Sequence, residues 1–306
     1  MEYRYHRLAS SSDYPRWWRF PLALLFGSFA FFWIGLIYVG WAWLLEPDTF
    51  NKLRSSELDL TDPFTMALAL GSIALLIPAL YLALFVVWHR PIGLISSVEG
   101  RLRWRWLGQT TVAAILVFAI SFGVWFVLGG LPTDFKVGAI DWGTAGALIL
   151  VAFLFTPLQA AAEEYVFRGF FMQLFGYWIK NPVIVGALTV LPFVAGHTYD
   201  FWGLVDVAVF AIFAAYLVWR TGGLEAAIAA HVVNNLLLFI LGSVELSNLN
   251  AESGSPISIL STLLTMGAFT FVVVRLANKN QIAVVRLVEP PNPETIEPAA
   301  AFDIGR

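Results

Sequence analysis

The first apolar run of the chain covers residues 20–45 and reads FPLALLFGSFAFFWIGLIYVGWAWLL, without one charged side chain. A transmembrane helix needs about 20 mainly apolar residues, because a rise of about 1.5 Å per residue has to cover about 30 Å of hydrocarbon. The run is therefore long enough to span a bilayer. It is too long for the apolar part of a signal peptide and lacks a clear cleavage site, so we expect it to be retained as a helix.

Seven more apolar stretches follow, and with the first they predict about eight transmembrane helices. They cover residues 64–88, 111–131, 143–159 with its continuation, 182–196, 203–219, 224–242 and 257–276. Several later stretches are short or contain polar residues, so a count of seven also fits. Charged residues make up 13% of the chain, against about 25% in soluble domains. The sequence therefore predicts an all-α fold, a polytopic helical membrane bundle.

Lysine and arginine residues indicate how the bundle is oriented. If the N-terminus is inside, only Lys52, Arg54 and Lys136 of the 18 basic residues fall in outer segments, and the other fifteen fall in inner ones. Cytoplasmic segments of membrane proteins are enriched in lysine and arginine. We therefore predict a multi-pass protein of the cell (plasma) membrane with both N- and C-termini cytoplasmic and an even number of spans.

The pattern divides the chain into four regions. Residues 1–19 form a cytoplasmic N-terminal segment, 20–142 three transmembrane helices with their loops, 143–276 a helical core that carries the chemistry, and 277–306 a cytoplasmic tail. The Pro-rich, acidic stretch from Glu289 predicts that the tail is disordered. Within the second region, residues 101–105 alternate arginine with leucine and tryptophan. This alternation is typical of an anchor at the membrane interface, with a lipid-headgroup or substrate contact as the alternative.

Polar residues accumulate in the apolar stretches of the second half of the chain. An ionisable residue in the middle of a bilayer costs at least about 2.5 kcal/mol, so each needs a partner or a function. The first three predicted spans contain almost none of these residues, which places the chemistry in the second half. The set comprises Glu163, Glu164, Arg168, His197, Asp206, Glu225, His231, Asn234 and Asn235.

The spacing of these residues groups them on helix faces. Glu164 and Arg168 are four apart, so they share one face and can form an ion pair, while Glu163 points about 100° away. His231 and Asn235 are also four apart. Each group also has a structural interpretation: a charged helix end that reaches water, a packed histidine at His197, or polar contacts that hold helices together.

Together the three groups offer what hydrolysis requires. A carboxylate can take a proton from water, and an imidazole can share that task. A second imidazole and an amide can donate hydrogen bonds to a developing oxyanion. The chain has no cysteine, which excludes a thiolate nucleophile and cysteine–zinc sites.

Three motifs on successive predicted helices resemble those of the CPBP family of intramembrane proteases. They stand here as Glu163-Glu164-Tyr165-Val166-Phe167-Arg168, Phe193-Val194-Ala195-Gly196-His197 and His231-Val232-Val233-Asn234-Asn235. The family contains the CAAX prenyl endopeptidases and bacterial relatives linked to bacteriocin self-immunity. Each motif is weak alone, but the ordered set is fairly specific, and it covers roughly residues 145–241.

The resemblance implies roles for the motif residues. Glu163 would activate the attacking water with help from His197, and His231 and Asn235 would stabilise the oxyanion. Glu164 and Arg168 would have an orienting or structural role. The resemblance also allows Glu163, His197 and His231 to hold a divalent metal such as zinc. The signature His-Glu-x-x-His is absent, and metal-free hydrolysis is favoured.

An intramembrane endopeptidase of this kind would act on a peptide or membrane-protein substrate, with a lipidated C-terminus as one candidate class. Its other expected partner is membrane lipid, and no nucleic acid is expected. Two alternatives use the same buried polar residues: an ion-coupled transporter, and a non-catalytic immunity or scaffold protein. No internal symmetry of the kind many transporters have is evident.

One geometric difficulty remains at this point. By helical rise, Glu163 lies about 30 Å from the start of its predicted span, His231 about 12 Å from the cytoplasmic face and His197 about 22 Å from it. Side chains at such different depths would not meet. A longer fourth helix, or bends at Pro157 and Pro192, would remove the conflict.

Overall fold

The computed structural model describes residues 1–11, 17–54, 58–88, 92–129 and 137–288, and its regular structure is mainly helical. Short helical turns occupy Tyr5–Ser11 and Ile92–Ile95, and two short strands are β1 (Glu2–Arg4) and β2 (Val285–Leu287). The helices are α1 (Arg19–Leu45), α2 (Thr49–Arg54), α3 (Pro63–Ala74), α4 (Leu76–Ala83), α5 (Trp104–Gly129), α6 (Trp142–Glu164), α7 (Met172–Trp178), α8 (Pro182–Ala195), α9 (Phe201–Thr221), α10 (Glu225–Ser243) and α11 (Pro256–Lys279).

Three helices begin at a capping side chain followed by proline. Asp62, Asn181 and Ser255 each precede a proline in the first turn and accept a hydrogen bond from a backbone N–H of that turn. Proline has no N–H to lose at the first helical position, and its backbone angle already suits a helix. These pairs of residues therefore define where α3, α8 and α11 start.

Seven helices in the described part of the chain are long and apolar enough to cross a membrane. One of them, Pro63–Trp88, joins α3 and α4 with a π-helical turn, and another, Trp142–Trp178, joins α6 and α7 through the π-helical segment Tyr165–Phe171. The stretch predicted at 182–196 forms α8, a shorter apolar helix of 14 residues. The predicted all-α polytopic membrane bundle is confirmed, with seven long helices and one short one.

The length of the helix Trp142–Trp178 explains how Glu163 and His197 reach the same depth in the bundle. Glu163 precedes its last residue by fifteen positions, and His197 follows Pro182, the first residue of α8, by fifteen positions. At about 1.5 Å per residue, the chain runs about 22 Å in one direction and about 22 Å back. The hairpin of α7 and α8 thus returns His197 to the level of Glu163.

The first half of α10 lies at the centre of the bundle. Its sequence begins EAAIAAH, and Ala226, Ala227, Ala229 and Ala230 are all buried. Small side chains let neighbouring helices approach closely. Four alanines just before His231 therefore place that histidine in the protein interior rather than against lipid.

Both ends of the described chain meet at one end of the bundle. Strand β1 pairs antiparallel with β2, with Tyr3 opposite Arg286, and the amino group of Met1 donates to the carbonyl oxygen of Val288 at 2.7 Å. This pairing puts the two ends on the same side, as an even number of crossings requires. Their cytoplasmic location stays a prediction.

The region predicted as a tail, 277–306, begins with ordered structure. Helix α11 continues to Lys279, and β2 lies beyond it. The acidic stretch from Glu289, on which the prediction of disorder rests, falls outside the described residues.

A buried ion pair joins the loop before α5 to the start of α10. Arg103 donates from Nε to Oε1 of Glu225 at 2.9 Å and from Nη2 to Oε2 at 2.7 Å, and both side chains are buried. Its remaining donors reach the carbonyl oxygens of Ala283 and Thr221, each at 3.0 Å. The alternation in 101–105 predicts an anchor at the membrane interface. For Arg103 this prediction is wrong, because its buried side chain links the loop before α5 to the start of α10.

The N-terminal turn packs against α7. Arg7 donates from Nη1 to the carbonyl oxygens of Gly176 and Tyr177 at 2.6 and 2.9 Å, and these carbonyls belong to the last turn of the helix. An added Cβ at Gly176 would lie 1.8 Å from the carbonyl oxygen of His6, so only glycine fits there. We call residues Tyr5–Ser11 the N-terminal strap.

We predict that Arg103→Met destabilises the protein by about 3–5 kcal/mol, because it leaves the Glu225 carboxylate buried and unpaired. The free energy of unfolding in detergent micelles measures this loss. Arg101→Met is the matched control, since the Arg101 side chain is 77% exposed and should matter by less than about 0.5 kcal/mol. Equal stability of the two variants would contradict a structural role for Arg103.

We predict that acid loosens the N-terminal strap. Burial, together with Arg7 and Arg4, holds the pKa of His6 below its ordinary value of 6.5. The folded state therefore favours the neutral imidazole, so His6 leaves stability intact above pH 6.5 and lowers it as the pH falls from there toward the depressed pKa. His6→Gln should reduce the drop in thermal unfolding temperature between pH 7.5 and pH 5. An unchanged drop in that variant would show that another group is responsible.

Candidate functional site

Glu164, Arg168 and His231 form a buried network between the long helix Trp142–Trp178 and α10. The Oε1 atom of Glu164 lies 2.9 Å from Nη1 of Arg168 and 2.8 Å from Nδ1 of His231. Glu164 and Arg168 are completely buried. Since an ionised carboxylate cannot donate, Nδ1 of His231 carries the proton in this bond. The network fixes both the rotation and the tautomer of that histidine.

The ring of Phe193 packs between Arg168 and the two histidines, His197 and His231. The guanidinium carbon of Arg168 lies 4.0 Å from the centre of its ring, and the ring centres of His197 and His231 lie 4.8 and 6.1 Å away. Nε and Nη2 of Arg168 have no hydrogen-bond partner among the described residues. The face of the Phe193 ring partly compensates the positive charge of the guanidinium. The phenylalanine four residues before His197 is therefore part of the site.

Glu163 is next to the same histidine. Its Oε2 atom lies 3.3 Å from Nε2 of His231, but the contact lacks the geometry of a hydrogen bond. This oxygen is buried and accepts no hydrogen bond from the residues that the structure describes. One carboxylate of the pair is therefore held by the arginine, and the other keeps a free acceptor, as the spacing of the motif predicts.

His197 lies just beyond the end of α8, and its tautomer is also determined. Its Nδ1 atom is 2.8 Å from the carbonyl oxygen of Phe193, which can only accept, so Nδ1 carries the proton. Nε2 therefore has a free lone pair. The ring is half-buried and makes no hydrogen bond or ion pair with Glu163, so the structure brings Glu163 and His231 into direct contact but not Glu163 and His197.

Asn235 lies one turn after His231 and is held from two sides. Its Nδ2 atom donates to Oε1 of Gln159 at 3.3 Å, and its Oδ1 atom accepts from Nδ2 of Asn234 at 3.1 Å. Sequence reasoning missed Gln159, which is 4% exposed and four residues before Glu163 on the same helix. That spacing was the available signal, because a glutamine at position i−4 shares the face of the glutamate.

Two other polar residues of the second half lie elsewhere. Glu225 belongs to the ion pair with Arg103, and Asp206 is on α9 with its buried Oδ1 unpartnered among the described residues. No group of three histidine, aspartate or glutamate side chains in the described part of the chain is arranged to hold a metal ion, so the predicted set Glu163, His197 and His231 stays a prediction. His197 makes no hydrogen bond or ion pair with Glu163 or His231. No step is therefore assigned to a metal.

Comparison with known proteins supports the resemblance. Residues 142–237, which contain every motif residue, match the family model described as Rce1-like, type II CAAX prenyl endopeptidase Rce1-like. The uncharacterized protein YyaK of Bacillus subtilis (strain 168) is 31% identical over 172 residues, which cover 53% of this chain and 56% of that protein. The chain thus spans little more than half the length of that relative. No solved structure matches it.

The match confirms the resemblance to the CAAX protease group at the level of the family. The match covers residues 142–237, and the seven long helices in the described part of the chain describe an integral, multi-pass membrane protein.

We predict that Arg168→Met destabilises the protein by about 3–5 kcal/mol, because it leaves the Glu164 carboxylate buried beside His231 without its cation. The double variant Glu164→Gln with Arg168→Met should recover part of the loss, since neither charge then remains. Unfolding of the wild type, the single variants Glu164→Gln and Arg168→Met and the double variant in detergent measures the coupling of the pair. Strictly additive losses would show that the two side chains do not act as an ion pair.

Proposed function

We propose that this protein is an intramembrane endopeptidase of the CPBP type, in which Glu163 activates water to hydrolyse a peptide bond. The observation that carries the proposal is the buried Oε2 atom of Glu163, which has a free lone pair 3.3 Å from Nε2 of His231. Oε2 of Glu164 also accepts no hydrogen bond from the described residues, but Glu164 suits this role less well. Its carboxylate is completely buried, is ion-paired with Arg168 and is bonded to His231, whereas Glu163 is not completely buried. Two adjacent carboxylates thus have different tasks.

The attacking water would be oriented by two acceptors. Glu163 takes its proton, and the free Nε2 lone pair of His197 accepts its second hydrogen, so that the water oxygen points toward the scissile carbonyl. The tautomer of His197 supports this role, because in the neutral ring the Nδ1–H bond to the carbonyl oxygen of Phe193 leaves the lone pair on Nε2. No direct contact between Glu163 and His197 is required when one water joins them.

The oxyanion would be stabilised by Asn235 and His231. One Nδ2 hydrogen of Asn235 is used by Gln159, and the other is free to donate to the oxyanion. Nε2 of His231 has no proton in the resting tautomer, so we assign its proton to Glu163. The proton taken from water crosses the 3.3 Å contact to Nε2, which then donates to the oxyanion.

The products balance on this scheme. The hydroxyl of the water bonds to the carbonyl carbon, the carbon–nitrogen bond breaks, and the proton held by Glu163 and His231 passes to the leaving amine. A carboxylic acid and an amine result. Glu163 is again ionised and ready for a second water.

The substrate would be a peptide segment of a membrane-associated protein. A lipidated C-terminus is the class that the name of the matching family suggests. The distribution of basic residues supports an enzyme of the cell membrane with cytoplasmic termini, and bilayer lipid is then the surrounding partner of the long apolar helices.

Glu163→Gln should lower kcat by about 10²–10⁴-fold, because an amide cannot accept the proton of water. The assay uses purified protein in liposomes and a panel of membrane-anchored peptides with a fluorescent reporter. Asp206→Asn is the matched control, since it replaces another carboxylate within an apolar helix, one that forms no ion pair with Glu163, Glu164 or His231. A chelator should leave the rate of the wild-type protein unchanged.

Three results would count against this function. Full activity of Glu163→Gln would remove the assigned base. Loss of activity with chelator, restored by zinc, would require a metal that the described residues do not present. Uptake of a solute into the liposomes without peptide hydrolysis would favour the transporter.

A further inference from the structure

Gln159 is a buried amide in a helix that otherwise faces lipid and apolar neighbours. It lies in α6 between Leu158 and Ala160, and 4% of its surface is exposed. A buried amide without a hydrogen bond costs roughly 1–3 kcal/mol by protein mutational data, so its position calls for a partner. That partner is Asn235 on α10, whose Nδ2 atom donates to Oε1 of Gln159 at 3.3 Å.

The bond does more than join two helices. The same two helices already pack through apolar side chains further along, where Leu148 and Ala152 of α6 are buried in a cluster with Leu236 and Phe239 of α10. Hydrogen bonds between membrane helices are on average worth only about 0.6 kcal/mol. Holding α6 against α10 therefore does not depend on Gln159.

The bond determines which way the carboxamide of Asn235 faces. Asn234 donates to its oxygen at 3.1 Å, and Gln159 accepts from its nitrogen at 3.3 Å. With Asn234 and Gln159 placed as they are, both interactions require the same orientation of Asn235, because a flip of Asn235 alone would place an N–H against Asn234 Nδ2 and an oxygen against Gln159 Oε1. The amide nitrogen is thereby directed toward α6, which also carries Glu163.

Gln159 and Glu163 are one helical turn apart on the same face. The N–H group that Gln159 leaves unused on Asn235 is therefore on the side of α10 that faces the helix carrying Glu163. The water that Glu163 activates attacks the scissile carbonyl, and the oxyanion formed there needs a donor on this side. Asn235 on α10 is thus linked through Gln159 to the face of α6 that carries Glu163.

We infer that Gln159 is a positioning residue for the oxyanion donor Asn235. The inference rests on the proposed hydrolysis, because orienting the amide matters only if an oxyanion forms there. It predicts that Gln159 affects the transition state through Asn235 and has little effect on the binding of the ground-state substrate.

The test is a double-mutant cycle. Gln159→Met keeps the length of the side chain and removes the acceptor, and it should lower kcat by at least about tenfold with KM within about twofold. In an Asn235→Ala background the same substitution should change kcat by less than about twofold, because its only route of action is gone. Thr156→Val is the matched control: Thr156 is a buried polar residue one turn earlier, whose hydroxyl has no hydrogen-bond partner among the described residues.

A binding measurement covers variants whose turnover is too slow to follow. A peptide trifluoromethyl ketone, which is hydrated to a tetrahedral species, should bind Gln159→Met at least about tenfold more weakly than wild type. The corresponding product peptide should bind both proteins alike. Thermal unfolding reports whether each variant is folded.

The outcomes distinguish a failure of the proposed hydrolysis from a failure of the role of Gln159. If Glu163→Gln keeps the wild-type rate, the proposed function is wrong and the inference falls with it. If Glu163→Gln is inactive while Gln159→Met keeps the wild-type kcat and ketone affinity, only the role of Gln159 is wrong. The same conclusion holds if Gln159→Met lowers kcat equally with and without Asn235, since Gln159 would then act structurally.

Discussion

A carboxylate inside a membrane protein is costly unless it is paired, and two such pairings determine where α10 lies. Glu225 at the start of that helix is bound by Arg103, and His231, two turns further on, is bound by Glu164. The two attachments reach different neighbours: the loop before α5 and the long helix Trp142–Trp178. Together they set both the height and the rotation of α10, so Asn235 has one possible place. The geometry of the site is thus a consequence of satisfying buried charge.

The short helix α8 has a related explanation. A span of about 20 residues would carry its end past the site, whereas 14 residues return His197 to the level of Glu163. The Pro-containing end of the helix and the Nδ1–H bond to the carbonyl oxygen of Phe193 then hold the ring in one orientation. What hydropathy alone describes as a weak transmembrane segment is a helix whose length brings His197 to the level of Glu163.

The sequence was sufficient for the membrane bundle, the positions of the long helices and the face shared by Glu164 and Arg168, because all of these depend on local period and hydropathy. The approach of Glu163 to His231 could be expected only from the resemblance, since no local rule relates residues on separate helices. Gln159 was overlooked because it stands at the edge of a predicted span, where a polar residue is unremarkable. Arg103 was misjudged for a similar reason: alternation with tryptophan resembles an anchor, and its partner is 122 residues away.

The pairing of β1 with β2 has a consequence for biosynthesis. It joins segments separated by almost the whole described chain, and residues 285–287 leave the ribosome after all the long helices. The N-terminal strand therefore has to wait, unpaired, while every helix enters the bilayer. Closing so long a loop is slow compared with forming local contacts. A nascent chain that lacks β2 would still leave β1 unpaired.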